Sequence, residues 1–343
     1  MSRAREWWRR TTAAAKDRRS LYLCRICGVA KRPWGVDLES AVIRATSHDE
    51  RAVDYSSAGR VFTWARASPS FLQPLMWSIA RRATRTSSWP VALKSLLIAH
   101  GLLLSTTAGA GSSLGRLPFD LSDFRDRSSP AFSSFVRAYF RFLDLRSVST
   151  DLDPTDLHDL ETLQELLDLL LQIRPCSNGM GVSLILETMD CVLIEVFEIY
   201  SGICSGIAGF LVGFLGSKTR HLGEAEKKQG VVGIRVLKRA GQQSAKLAGF
   251  FEVCKGLGVS NARELPAVER VPDEDIEDLE RLVIAGGGGE GGIDREERRG
   301  SPATVVTEEW VVFEETEGYF GNKDRYCRNP AVVDDVRDLI LFD

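Results

Sequence analysis

The chain has 343 residues, of which 44% are apolar, enough for one large core with material left for a tail. Its net charge of −3 hides an asymmetry: residues 1–100 carry 18 Lys and Arg against 7 Asp and Glu, and the remainder is acidic. A basic front suits an anionic membrane or a nucleic acid, the acidic remainder argues against nucleic acid wrapping the whole molecule, and seven scattered cysteines exclude a disulfide scaffold in favour of buried thiols in a reducing, cytosolic setting.

The opening MSRAREWWRR is basic and lacks the apolar core of a signal peptide. A first helix is expected at about 5–19, where Trp7 and Trp8 lie among Arg3, Arg5, Arg9 and Arg10. Indoles so flanked suit the headgroup depth of a bilayer; the alternative is that one indole packs on the bundle while the arginines stay wet. Cys24 and Cys27 form a lone CxxC with no second pair at zinc spacing, so no metal is expected. A short amphipathic helix follows at 36–48, with Val36, Leu38, Val42 and Ile43 inward and Arg44 and His48 at its polar end. Arg44, His48 and Arg51, together with Lys16, Arg18 and Arg19, form a basic edge. Guanidinium groups match phosphate because their planar fork donates two parallel hydrogen bonds. The plainer reading is a solvated helix face.

Helices are then expected at 57–66, 70–86 and 89–106. The last opens on Ser87 or Ser88 as N-cap, with Pro90 in the first turn, and carries Leu93, Leu96, Leu97, His100, Leu103 and Leu104 at helical spacing. Further helices are expected at 129–146, 155–173, 180–215, 222–256 and 273–285. Leu157, Leu160, Leu163, Leu167, Leu170 and Leu171 form a core stripe, too short in heptads for a zipper. The most apolar run, residues 202–216, is shorter than the ~20 residues of a membrane span and reads as a buried helix. Ten or so antiparallel helices with short connections and no strand pattern give an all-α solenoid or superhelical bundle. Composition then changes. Residues 286–292 are a Gly-rich linker, and 293–343 form an acidic tail, expected to be mostly disordered apart from an apolar patch at Trp310, Val311, Val312 and Phe313.

Three stretches carry a resemblance to a known family: VIRATSHDE from Val42, SSWPVALKSLLIAHGLLL from Ser87, and FDLSDFRDRSSPAFSSFVRAYFRFLDLRSVS from Phe119. They resemble the ANTH domain of clathrin-assembly adaptors, in its plant-type, CALM-like form. In that family a Lys-Ala-Thr-(Thr/Ser)-His turn precedes a basic cluster, and an LKxLxxxHxLL helix and an F-x-L-S-x-F-x-D segment come later. The matching positions of the last segment are Phe119, Leu121, Ser122, Phe124 and Asp126, followed by Phe135, Arg137, Tyr139, Phe142 and Leu143. The resemblance covers roughly residues 5 to 285 and implies a right-handed α-solenoid of the ENTH/ANTH/VHS kind, with phosphoinositide membrane and clathrin as partners. Counted without gaps, the family's Pro-Lys-x-Lys-His cluster falls on Val53, Asp54, Tyr55, Ser56 and Ser57, so that Arg44 alone keeps a family charge. Electrostatic, weakly selective lipid attachment through Arg44, Arg51 and the first helix is therefore expected, at about 1 kcal/mol per basic residue near an anionic leaflet.

At the C-terminus, Leu339, Ile340, Leu341, Phe342 and Asp343 fit the clathrin-box pattern of Leu, apolar, any, apolar, acidic. Such peptides bind extended in a propeller groove. The resemblance further implies SNARE cargo, a part in vesicle budding and endocytosis, and a peripheral place on clathrin-coated vesicles or pits at the plasma membrane or Golgi. The four histidines have no nucleophile or metal constellation around them, and no phosphate loop, nucleophile elbow or metalloprotease helix is present. Neither enzyme activity nor a cofactor is expected. The alternative function is a helical scaffold that binds proteins or RNA without touching membrane.

Overall fold

The computed structural model describes residues 3–26, 35–107, 115–127, 129–149, 151–216, 223–264, 276–277, 279–281 and 283. Among the described residues nine α-helices follow one another: α1 Arg3–Ile26, α2 Gly35–Ala45, α3 Tyr55–Ala67, α4 Leu72–Thr84, α5 Trp89–Thr107, α6 Pro130–Val148, α7 Leu157–Leu170, α8 Ser183–Gly216 and α9 Glu224–Leu257. No strand occurs among the described residues. Neighbours in sequence are neighbours in space, and α2 also meets α4 while α7 also meets α9. The fold is therefore a stack of helices sharing one continuous apolar core, as the periodicity predicts.

Helix ends differ from expectation where polar side chains intervene. α2 stops at Ala45 because the chain turns, with the Thr46 amide on the Val42 carbonyl and the Ser47 amide on that of Arg44. His48 thus sits in a turn and not on the helix. α3 starts early because Asp54 caps it, accepting from the Ser57 amide at 3.2 Å. The expected 70–86 helix is preceded by a 3₁₀ turn, Pro69–Phe71, whose Ser68 hydroxyl accepts from the Ser70 amide. α9 ends on Gly258 at φ 74°, a left-handed turn that costs glycine nothing and returns the Val259 amide to the Cys254 carbonyl.

The leucine stripe of α7 is core: Leu160, Leu163, Leu167, Leu170 and Leu171 are buried and Leu157 is half-buried, each fully buried leucine worth roughly 1.5–3 kcal/mol. α8 is longer than the apolar run within it. A span of 32 residues, Ser183–Phe214, is long and apolar enough to cross a membrane by length and composition. Its first half is a core helix instead, whereas the run expected to be buried is mostly half-exposed from 202 to 214: only Ile203, Gly206 and Ile207 are buried there and Val212 is 66% exposed. Leu184, Ile185, Met189, Val192 and Val196 are buried in the shared core, and Glu195, 2% exposed, pairs with Arg146 at 3.1 Å.

Two glycines of α8 separate packing from propensity. A Cβ on Gly206 would collide with the Pro154 carbonyl and with Leu160, whereas one on Gly209 meets nothing within 4 Å. Gly206→Ala is expected to lose about 1–3 kcal/mol through overpacking and Gly209→Ala to gain about 0.5–1 kcal/mol, both measured by urea denaturation followed at 222 nm.

Candidate functional site

α1 meets the bundle through a polar seam. Ala13, Asp17, Ser20 and Cys24, three or four residues apart, turn inward, while Lys16, Arg18 and Arg19 stay exposed. The centre of the seam is Asp17. One of its oxygens takes the His48 amide at 2.9 Å, and the other takes His48 Nδ1 and Arg82 Nη2, both at 2.7 Å. Arg82, from the last turn of α4, also donates to the Thr46 carbonyl and to the hydroxyls of Thr46 and Ser20. Burial alone would raise the Asp17 carboxyl, but the bonds from His48 and Arg82 outweigh it and hold it below its ordinary value. Asp17 and Arg82 therefore clamp α1 to the 46–48 turn.

The same turn is braced from beneath by Lys94 of α5, which is fully buried and donates to the Ser47 hydroxyl at 3.2 Å. Burial brings the Lys94 ammonium down to about 8, although the carboxylates of Asp49, Glu187, Asp17 and Asp54 pull it back up. Glu187 of α8 takes hydrogen bonds from Tyr55 and the Val53 backbone, and burial raises its carboxyl. Sequence reading gave Lys94 only as part of a motif. Its burial in an otherwise apolar helix is the signal that was available.

The other motif residues are structural as well. Trp89 stacks on Phe132 at 4.0 Å, and its amide is taken by the carboxylate of Asp126 at 3.0 Å. The expected Ser88 does hold the N-cap position, since its carbonyl accepts the Ala92 amide, but the orphan donor of Trp89 is answered from a loop 37 residues away. Phe119, Leu121 and Phe124 plug that loop into the core. His100 bonds the Tyr139 hydroxyl at 2.8 Å and lies 3.5 Å from Glu195. Burial would raise the Glu195 carboxyl, yet His100 and Arg146 hold it below its ordinary value.

The outer surface at this end is a cleft of about 1710 Å³ between α1, the 48–51 turn, the start of α5 and the 120–127 loop. Lys16, His48 and Arg51 line it, joined by Arg125 and Arg127, which sequence reasoning missed. Asp49, Glu50, Asp120 and Asp123 line it too, so its potential is mixed. His48 is only 12% exposed and committed to Asp17, whereas Arg51 makes an open pair with Asp49 at 3.2 Å. An exposed pair of that kind is worth little and exchanges readily for another anion. Arg18, Arg19 and Arg44 are exposed but do not line the cleft. The side chains of Trp7 and Trp8, and residues 339–343, lie outside what the structure describes. Among the described residues no cluster of His, Cys, Asp and Glu is arranged to hold a metal ion.

Lys94 generates a pH signature. Its folded value near 8 lies below the ordinary ~10.4, so between these the unfolded chain binds more protons and stability rises with pH. The advantage is complete above about 10.4 and lost as pH falls through about 8. The stability of the wild type relative to Lys94→Met should therefore rise by about 2–4 kcal/mol from pH 7.5 to 10.5 in urea titrations. A flat difference would mean that the ammonium is not buried.

Comparison with known proteins bears on the whole helical stack. The ANTH domain matches residues 37–156 and 148–284, from α2 to beyond α9. Three Arabidopsis thaliana relatives, each named "Putative clathrin assembly protein", align over most of their length. One is 42% identical over 296 residues, covering 80% of this chain and 76% of the relative. A second is 36% identical over 351 residues, covering 92% and 90%. The third is 37% identical over 263 residues, covering 72% and 75%. On the family match and these relatives, the chain belongs to the ANTH domain family.

Proposed function

We propose that this protein is a non-enzymatic peripheral adaptor that attaches to phosphoinositide-bearing membrane and gathers clathrin. The observation that carries the membrane half is the exposure of Lys16, Arg18 and Arg19 around the outer side and flanks of α1, which the Asp17 clamp holds near Arg44 at the end of α2 and Arg51 in the turn after it. In this reading those five cations act through the summed positive potential of this end of the stack, and His48 holds the turn in place of contacting lipid. Trp7 and Trp8 extend the same helix and would seat at headgroup depth. The names of the relatives support the clathrin half. The division of labour would be a helical module at 1–285, a linker at 286–292 and a tail at 293–343 whose Leu339, Ile340, Leu341, Phe342 and Asp343 enter the clathrin groove. Coated pits or vesicles would be its place of work, with SNARE proteins as a further class of cargo.

Selectivity for one headgroup should be low. Asp54 stands where a relative of the family would present lysine, and its carboxylate is engaged as the α3 cap, with the Ser57 hydroxyl donating to it at 2.7 Å. A lysine there would remove a cap worth about 0.5–2 kcal/mol, so exposed Ser56 is the better place to rebuild charge.

The test is co-sedimentation of the full chain with vesicles containing phosphatidylserine, with or without a phosphoinositide, across a salt series. Wild-type binding should fall steeply from low to physiological salt, since exposed charges are screened over about 8–10 Å. Joint reversal of Lys16, Arg18 and Arg19 to Glu should lower affinity at least about a hundredfold, at about 1 kcal/mol per residue. In parallel, Leu339→Ala with Phe342→Ala should abolish clathrin pull-down and leave vesicle binding intact. Salt-resistant preference for one lipid, or indifference to the reversal, would sink the membrane half. Full clathrin retention by the double variant would sink the proposed motif.

A further inference from the structure

A second charged surface lies on the other half of the stack, where α9 runs beside α7. A groove of about 460 Å³ there is lined by Arg235, Lys238, Arg239 and Lys246, with Val231 and Ile234 at one end. Val231 is 57% exposed, unusual for a β-branched apolar residue in mid-helix. The cations are only partly neutralised. Arg235 faces Glu161, Lys238 faces Glu280, and Arg239 and Lys246 share Asp168 at 3.0 Å each. Four positive groups thus meet three carboxylates, and exposed Lys228 adds another charge along the same helix. The groove offers an apolar foothold inside a positive rim.

The last described residues lie against α9 beside this groove. Leu279 is buried, Glu280 is ion-paired to Lys238, and the Val283 side chain occupies the space that a Cβ on Gly230 would need. Downstream, outside the described residues, the sequence reads EEWVVFEETE over residues 308–317. This stretch combines Trp310, Val311, Val312 and Phe313 with Glu308, Glu309, Glu314, Glu315 and Glu317, and contains no Lys or Arg. It is the complement of the groove in both charge and polarity.

We propose that the α9 groove is the docking site of residues 308–317 of the same chain. The aromatic pair covers Val231 and Ile234, and the flanking glutamates compete with Asp168, Glu161 and Glu280 for the cations. The intervening residues 284–307, glycine-rich at their start, are long enough to span up to about 80 Å when extended. The stretch of α9 from 231 to 246 is about 22 Å long, so that reach is sufficient. Because groove and segment belong to one chain, docking is intramolecular, and a contact too weak to survive between separate molecules can form within one. Docking would cover the groove against outside partners until something stronger displaces the tail. This inference does not depend on the membrane or clathrin reading.

Zero-length carbodiimide coupling of the full chain, followed by peptide mass spectrometry, tests it, because the reagent joins lysine amines only to carboxylates in direct contact. Lys238 and Lys246 should be joined to residues 308–317, within one chain and with a yield independent of protein concentration. Trp310→Ser with Phe313→Ser keeps every glutamate and leaves the helical stack untouched, and it should lower that yield at least fivefold. Products confined to Lys238–Glu280 and Lys246–Asp168 would overturn the proposal. So would a tail spread evenly over Lys16, Lys227 and Lys255, chain-to-chain products, or a yield indifferent to the serine variant.

Discussion

The Asp17 carboxylate is the contact on which the placement of α1 against the rest of the stack depends. Among the α1 residues whose side chains are described, 11–24, the inward side is Ala13, Asp17, Ser20, Leu21 and Cys24, a small and largely polar face. The strongest contacts of α1 with the 46–48 turn and α4 are, among the described residues, hydrogen bonds that converge on Asp17 and Arg82. Removing one partner of a largely buried ion pair typically costs about 3–5 kcal/mol, because the other charge stays behind uncompensated. Direction matters as well as strength. Since the Asp17 carboxyl is held below its ordinary value, the clamp stabilises the fold at neutral pH and weakens as pH falls through the folded value.

The two halves of the stack solve the same problem with different chemistry. In the first half, charged groups join elements, Asp17 with Arg82 and Lys94 with Ser47, and Glu195 of α8 reaches back to His100 and Arg146 across the two halves. In the second, α7 and α9 are registered by buried amides. Gln164 donates to the Val236 carbonyl at 2.9 Å and Gln243 to the Gln164 carbonyl at 2.7 Å. Neutral amides tolerate burial better than unpaired charge, so this interface can be dry at its centre and basic at its rim. Surface cations are thereby left at both ends, one set beside α1 and the other along α9.

The sequence made the helical stack legible wherever apolar periodicity was strong. α5, the α7 leucines and the long α8 and α9 all followed from spacing of three and four. Polar contacts between distant residues left no such trace. Asp17 and Arg82 are 65 residues apart, Trp89 and Asp126 are 37 apart, and nothing periodic links either pair. Asp54 was weighed as a missing lysine, although an acid three residues before Ser57 at the start of a helix also reads as a cap. Of the basic edge, the exposed members Lys16, Arg18, Arg19, Arg44 and Arg51 were findable because isolated Lys and Arg default to the surface. The inward turn of His48 was not, because it depends on where α1 lies.

Vesicle binding by Asp17→Ala probes the clamp most directly, with far-UV circular dichroism confirming that the helices persist. The substitution raises the net charge by one and touches none of the exposed cations. If α1 must be held in place to present Lys16, Arg18 and Arg19 beside Arg44 and Arg51, affinity for anionic vesicles falls despite the added positive charge. Unchanged or tighter binding would contradict the clamp and leave net charge alone as the determinant.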